Sequence, residues 1–393
     1  MNRRDFIRMS SLASASLFVP NFLKAFDKIT PRGKDEKILI VLQLTGGNDG
    51  LNTIIPVKND LYFKYRQQIA IKNPLALNKE SGIHPALTFF KTLYDNGELA
   101  IMNNVGYPDP NRSHFRSMDI WQSASKSTEY LNTGWLGRYL DHVCGDCNNP
   151  IQALEINNML SLALKGERNK ALSFINPNSL KNNVNENYFK DLAASHDHKE
   201  EMAAYLYQTL GSTIQNADYL VEKFDSKSTT QSYPDTKLGK NFKTISSLIK
   251  SDINTRVYYV EMTGFDTHVN QLNRQEKQFN EINEAITSFV TDMKKSRLFD
   301  KVLLMTFSEF GRRVSQNASK GTDHGTANQM FFISGGLKKK GHLNALPNLQ
   351  NLQNGDLIFT EDFRKVYATV LNNWLNVKTN NIIDWDKGFY NFI

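Results

Sequence analysis

The chain has 393 residues, 40% of them hydrophobic and 11% aromatic, with a formal charge of +7 at neutral pH. That apolar content is enough for a packed core and excludes wholesale disorder, and no apolar run reaches the ~20 residues of a membrane span. The positive charge points toward a nucleic-acid or membrane partner unless part of it lies in a segment that the mature protein loses.

The first residues bear on that question. Met1-Asn2-Arg3-Arg4-Asp5-Phe6-Ile7 places paired arginines before an aromatic and an aliphatic residue, and a weakly apolar stretch rich in Ser, Ala, Leu and Phe follows, to Phe26. This reads as a twin-arginine (Tat) export signal with its linker, residues 1–30, and a periplasmic or exported destination. The Tat translocase is then the expected partner during export. Residues 1–25 carry four basic side chains and one acidic, a net +3, which leaves +4 for the rest. There is no five-residue Lys/Arg block either, so neither nucleic-acid binding nor a transmembrane anchor is expected.

The remainder, from about residue 35 to 393, reads as one α/β domain. Lys37 to Leu44 is a continuous aliphatic run ending in Thr-Gly-Gly-Asn-Asp-Gly, the pattern of a buried parallel-type strand feeding a loop. A helix is expected over Pro85–Tyr94, a strand over Leu99–Val105, and helices over His114–Ser123 and Trp135–Val143. Cys144 and Cys147 follow, the only cysteines. In an oxidising compartment they fit a local disulfide; free thiols and a redox pair are the alternatives, and the last lacks the strand-before, helix-after context. Residues 151–175 hold two short strands spaced as in a hairpin. A polar, helical insertion is expected at about 180–250, broken near Ser226–Pro234. Strands at Val257–Glu261, Val302–Phe307 and Met330–Ile333 then alternate with helices at Gln271–Lys294 and Phe363–Leu375. Such alternation predicts a three-layer α/β/α sandwich with a mostly parallel central sheet, in which ligands bind beyond the carboxyl ends of the strands.

Metal-competent side chains gather after those strand ends. Asp49 follows the first strand. Asp266 and His268 follow the strand ending near Met262. Glu309 and Arg312 follow Phe307, and Asp323 and His324 precede the Met330 strand. Each piece alone is as consistent with a turn, a cap or a local ion pair. Together they are the mixed O/N donor set of zinc, manganese or calcium sites. Ser113 opens the His114 helix, where serine is either an N-cap or a hydroxyl nucleophile near the positive end of the helix dipole. Arg112 and Arg312 are candidate forks for an anionic group. His84 reads as a capping or supporting residue, and His142, His196, His198 and His342 as surface residues.

Taken in order, Leu-Thr-Gly-Gly-Asn-Asp-Gly-Leu-Asn (44–52), His-Pro-Ala-Leu (84–87), Asn-Arg-Ser-His-Phe-Arg-Ser-Met-Asp-Ile-Trp (111–121), Gly-Phe-Asp-Thr-His (264–268), Phe-Ser-Glu-Phe-Gly-Arg (307–312) and Asp-His-Gly (323–325) resemble the domain-of-unknown-function 1501 family. That family consists of Tat-exported bacterial proteins similar to the alkaline phosphatase/sulfatase superfamily. The resemblance implies an alkaline-phosphatase-like fold and a metal-dependent hydrolase of phosphate or sulfate esters. Its metal ligands would come from Asp49, Asp266, His268, Glu309 and His324, and Ser113 would be the nucleophile. Two departures accompany it: Glu309-Phe310 stands where the superfamily has Asp-His, and Asp266 and His268 are unusually close in sequence. They leave a second expectation open, a binding or scaffolding protein of the same fold without turnover.

Overall fold

The computed structural model describes residues 36–143, 151–168, 171–184, 214, 217–227 and 229–393. The expected N-terminal export signal, the Cys144/Cys147 pair, His196, His198 and much of the expected insertion lie outside these residues.

Strands β1 (Ile38–Thr45), β2 (Leu99–Gly106), β3 (Ala153–Ile156), β4 (Leu172–Phe174), β5 (Val257–Thr263), β6 (Val302–Phe307), β7 (Asn328–Ile333), β8 (Gly341–His342) and β9 (Glu361–Asp362) form one nine-stranded sheet. Its spatial order is β8-β2-β7-β6-β1-β5-β3-β4, and β9 also pairs with β2. Strand β1 lies at the centre, parallel to both β5 and β6. Within the sheet β7 alone runs antiparallel to its neighbours. The two short strands expected as a hairpin, β3 and β4, instead pair in parallel, Leu154 opposite Leu172 and Ile156 opposite Phe174. The loop between them is long enough to return the chain to the same end, which spacing alone could not reveal.

Six of the main helices are α1 (Thr88–Asn96), α2 (His114–Ser123), α3 (Trp135–Val143), α4 (Lys237–Lys250), α5 (Gln271–Lys295) and α6 (Phe363–Thr369), the last continuing as a π-helical turn to Trp374. Alternation along β1 assigns them to layers. Ile38, Ile40, Leu42 and Leu44 face a core filled by α1, α4 and α5, through Phe90, Phe242, Ile245, Phe279 and Ile286. Leu39 and Val41 face the opposite core, filled by α2, α3 and α6 through Trp121, Trp135, Tyr139, Tyr367 and Trp374. Because successive strand side chains point to opposite faces, a strand apolar at every position needs cover on both sides. The three-layer α/β/α architecture follows. Helix α4, the last part of the expected insertion, packs in the first of these cores against α5.

No helix among the described residues is long and apolar enough to cross a membrane. His342, expected at the surface, is half-buried, its Nε2 2.8 Å from Ser81 Oγ and its Nδ1 3.2 Å from Asn103 Nδ2.

His84 is buried beside Phe279, ring centroids 4.9 Å apart, and its Nδ1 accepts from Ala86 N at 3.2 Å. Burial lowers its pKa to about 4 despite the favourable charge of Asp49. The neutral ring therefore belongs to the folded state. Between pH 6.5 and about 4 the unfolded chain takes up a proton that the folded chain refuses, so stability falls across that window and is unaffected above it. The loss is expected to reach about 3 kcal/mol. Urea unfolding at stepped pH checks this, with His84→Gln flattening that part of the profile.

Candidate metal centre

The site is built from the loops that leave the carboxyl ends of β1, β5 and β6, together with the start of α2. The first loop must pass very close to the second. Gly46 has φ +123°, and a Cβ there would lie 2.3 Å from Asp266 N. Only glycine combines that conformation with that approach. Further along, Arg312 and His324 form an isolated antiparallel bridge, flanked by Gly311 N donating to Thr326 O and Gly325 N donating to Gly311 O. This brings Asp323 and His324 back over the β6 loop.

One side chain holds these pieces together. The Arg312 guanidinium is fully buried and donates from Nε to Gly47 O at 2.7 Å and from Nη1 to Thr322 O at 2.9 Å. Its Nη2 donates to Gly46 O, to Phe265 O at 3.0 Å and to Asp266 Oδ1 at 2.6 Å. Arg312 was expected to clamp a substrate anion. Its donors instead tie three loops, and its side chain is fully buried.

Around Asp266 three imidazoles converge. Asp266 Oδ1 lies 3.1 Å from His268 Nε2, 3.3 Å from His324 Nε2 and 3.6 Å from His114 Nε2. Each ring is anchored through its other nitrogen. His114 Nδ1 donates to Glu309 Oε1 at 2.8 Å, His324 Nδ1 to the Arg112 carbonyl at 2.8 Å, and His268 Nδ1 to Asp323 Oδ1 at 3.2 Å. These tautomers are assigned from the acceptors, which offer oxygen lone pairs only. Each Nε2 is thereby directed at Asp266, and the Nε2 atoms of His268 and His324 are 2.9 Å apart. His114 Nε2 is buried without a hydrogen-bond partner. Ligand atoms of His114, Asp266 and His324 all lie within 4.8 Å of one another. Phe310 packs against two of the rings, 4.9 Å from His114 and 4.7 Å from His324.

The local charges fit this arrangement. Burial pushes the Asp266 carboxyl upward, but the Arg312 hydrogen bond and charge, with His268 and His114, outweigh it and hold Asp266 below its ordinary value. Burial, with the charges of Arg312 and His114, lowers His324. The Glu309 hydrogen bond raises His114 against the effect of burial. A cation at His114 Nε2 would therefore compete with a proton.

The expected site residues divide accordingly. Asp266, His268 and His324 come together. Glu309 and Asp323 adjoin the cluster but orient rings. Glu309 is fully buried, and its Oε1 also accepts from Gly46 N at 2.8 Å. Asp49, expected among the ligands, is committed elsewhere: its carboxylate pairs with the buried Arg66 at 2.5 Å and accepts from Gln271 Nε2 and from Leu51 N. Arg66 in turn donates to Val314 O and Arg313 O, both at 2.8 Å. Arg112, the other expected clamp, pairs through its guanidinium with the buried Asp356. Ser113 occupies the N-cap position of α2, yet its side chain makes no capping bond and is exposed.

Sequence reading passed over His114 as a ligand and Arg66 altogether. The signal for His114 was its place, one residue inside a helix whose start faces the strand ends; for Arg66 there was none, because its partners lie up to 248 residues away.

The family model described as "Protein of unknown function (DUF1501)" matches residues 98–351, more than half of the chain, which therefore belongs to that family. Comparison with curated proteins returns no match. Among solved structures, the chain is similar to the lipoteichoic acid synthase LtaP from Listeria monocytogenes, with 11% identity over 95% of this chain and 81% of that one and a TM-score of 0.43. A protein of the alkaline phosphatase superfamily from Vibrio parahaemolyticus shows 9% identity over 90% and 71%, with a TM-score of 0.42. Alkaline phosphatase from the Antarctic bacterium TAB5 shows 10% identity over 78% and 92%, with a TM-score of 0.35.

Replacing Arg312 with lysine keeps a charge but removes the fork that reaches five acceptors. Arg312→Lys is expected to destabilise the fold by about 3 kcal/mol, since it strands buried carbonyls and loosens Asp266. Denaturant unfolding of the variant measures this, and a change below about 1 kcal/mol would contradict the hub role.

Proposed function

We propose that this DUF1501 member binds one divalent metal ion at His114, Asp266 and His324, with His268 as a further ligand, and hydrolyses phosphate or sulfate esters there after export by the Tat pathway. The observation that supports it is the set of three imidazoles, each anchored at Nδ1 and turned at Nε2 toward one carboxylate oxygen, with His114 Nε2 buried and unpartnered. Carboxylate and carbonyl acceptors behind histidines are the usual outer support of a metal site. Three nitrogens and one oxygen suit zinc or manganese better than calcium, which takes six to eight oxygens. Among the described residues one such group is present, so a single centre is proposed.

When bound, the ion would polarise an ester oxygen and lower the pKa of a nearby hydroxyl or water. The protein's own residues supply the rest of the reading. Glu309, Asp323 and the Arg112 carbonyl fix the ring orientations before any ligand arrives. Ser113 stands between Arg112 and His114 in sequence and offers an exposed hydroxyl at the N-terminus of α2, where the helix dipole favours developing negative charge. Asp266 is exposed on one side, its side chain 48% accessible, which leaves a path for an ester to reach the group.

A second reading, a binding or scaffolding protein without turnover, draws on the commitment of both expected arginine clamps, Arg112 and Arg312, to internal carboxylates. Two measurements separate the readings. Elemental analysis of the purified full chain is expected to find one zinc or manganese per molecule, lost in His114→Ala and Asp266→Asn. Glu309→Gln is expected to weaken metal affinity about 10–100-fold. Ser113→Ala is expected to keep the metal and lose roughly 10³-fold or more of the rate on an aryl phosphate and aryl sulfate panel. A metal-loaded wild type that turns over none of these esters would favour the second reading; a metal-free wild type would overturn the first.

A further inference from the structure

Two of the three imidazoles lean on rigid supports. Glu309, behind His114, is fully buried, and the acceptor behind His324 is a main-chain carbonyl. The third ring, His268, is 40% exposed and leans on Asp323, itself 57% exposed. Packing alone leaves two such side chains free to change rotamer, so their meeting needs a further restraint.

Asn317 supplies it. This half-buried amide has its orientation set by its partners. Its Oδ1 accepts from Ser319 N at 2.9 Å and from Gly321 N at 3.0 Å, so Nδ2 is the donor. That Nδ2 donates to His268 O at 2.9 Å and to Asp323 Oδ1 at 3.2 Å. The same Asp323 Oδ1 accepts from His268 Nδ1 at 3.2 Å. One amide thus fixes both the backbone that carries the ring and the carboxylate that sets its rotation. The 317–321 loop is held close to that backbone. Asn317 N donates to Gly321 O at 2.8 Å, and a Cβ at Gly321 would lie 2.2 Å from His268 O. The two ends of the amide do different work. The Oδ1 bonds close the loop on itself, as a side-chain turn does, while the Nδ2 bonds reach out of it. Aspartate at this position would keep an acceptor for the turn and lose the donor, which separates a role in the loop from a role at the ring.

We propose that Asn317 positions His268, holding the ring through His268 O and Asp323 Oδ1 so that Nδ1 carries the proton and Nε2 faces Asp266. As a statement about metal affinity this rests on the metal-dependent reading above; as a statement about the ring it does not. The ring is read first, in the full chain treated with EDTA and carrying isotope-labelled histidine, by NMR at a pH where imidazole is neutral. The His268 signals are identified by their loss in His268→Gln. Wild type is expected to show the Nδ1–H tautomer alone, and Asn317→Asp a mixture of both; Asn317→Ala, which also drops the turn bonds, serves as a second variant. Zinc affinity is read next, by competition with a chromophoric chelator. Kd is expected to rise about 10–100-fold in Asn317→Asp. No further rise is expected when Asn317→Asp is added to His268→Ala, because the ring through which it acts is then gone. The proposal is overturned if both variants keep the single Nδ1–H tautomer while circular dichroism shows them folded, or if the effects of Asn317→Asp and His268→Ala on zinc affinity add in full. A wild type that takes up no zinc yet shows the expected tautomer change would keep the role of Asn317 and sink the hydrolase reading.

Discussion

The arrangement depends on a buried guanidinium. Three loops leave the sheet after β1, β5 and ahead of β7, and nothing in a parallel sheet by itself fixes how such loops lie against one another. Arg312 does so with carbonyl acceptors from Gly46, Gly47, Phe265 and Thr322, and its charge is met by Asp266. A lone buried cation is expensive, and one partnered this fully sets geometry as much as it adds stability. The same interaction keeps Asp266 ionised, so the residue that organises the loops also prepares the carboxylate on which the imidazoles converge. Arg66 does comparable work a short distance away, joining Asp49 to the Arg313–Val314 segment.

Much of the fold was legible in the sequence. The aliphatic run of β1 predicted a strand covered on both faces, and the α2, α3 and β6 ranges agree residue for residue with the spacing. The parallel pairing of β3 with β4 was not legible, because two short apolar segments look the same whether the chain reverses or crosses over between them. Nor could periodicity show that α4 belongs to the central core, since its polar face resembles that of any surface helix.

The site was legible as a neighbourhood more than as a set of roles. Recurrence of Asp, Glu and His after strands located Asp266, His268, Glu309, Asp323 and His324 together. It could not tell an oxygen that faces the centre from one that holds a ring, because both sit in the same kind of loop. Glu309 and Asp323 turned out to hold rings. Asp49 shares the strand-end position but meets a buried arginine first. At Phe310, where the resemblance leads one to expect an imidazole, the phenyl ring packs against His114 of α2, ring centroids 4.9 Å apart. Such a meeting of elements far apart in the chain becomes visible only when they are brought side by side.

Two of the three imidazoles lean on carboxylate side chains, but His324 leans on the main-chain carbonyl of Arg112. A carbonyl is common to every residue, so no substitution at position 112 can delete it. Mutational scanning would register the supports of His114 and His268 and pass over this one entirely. During divergence the third support is protected from point changes in chemistry and exposed only to changes in loop length or path between Tyr107 and Ser113. Insertions or deletions there, rather than residue identities, are where this contact would be gained or lost among related chains.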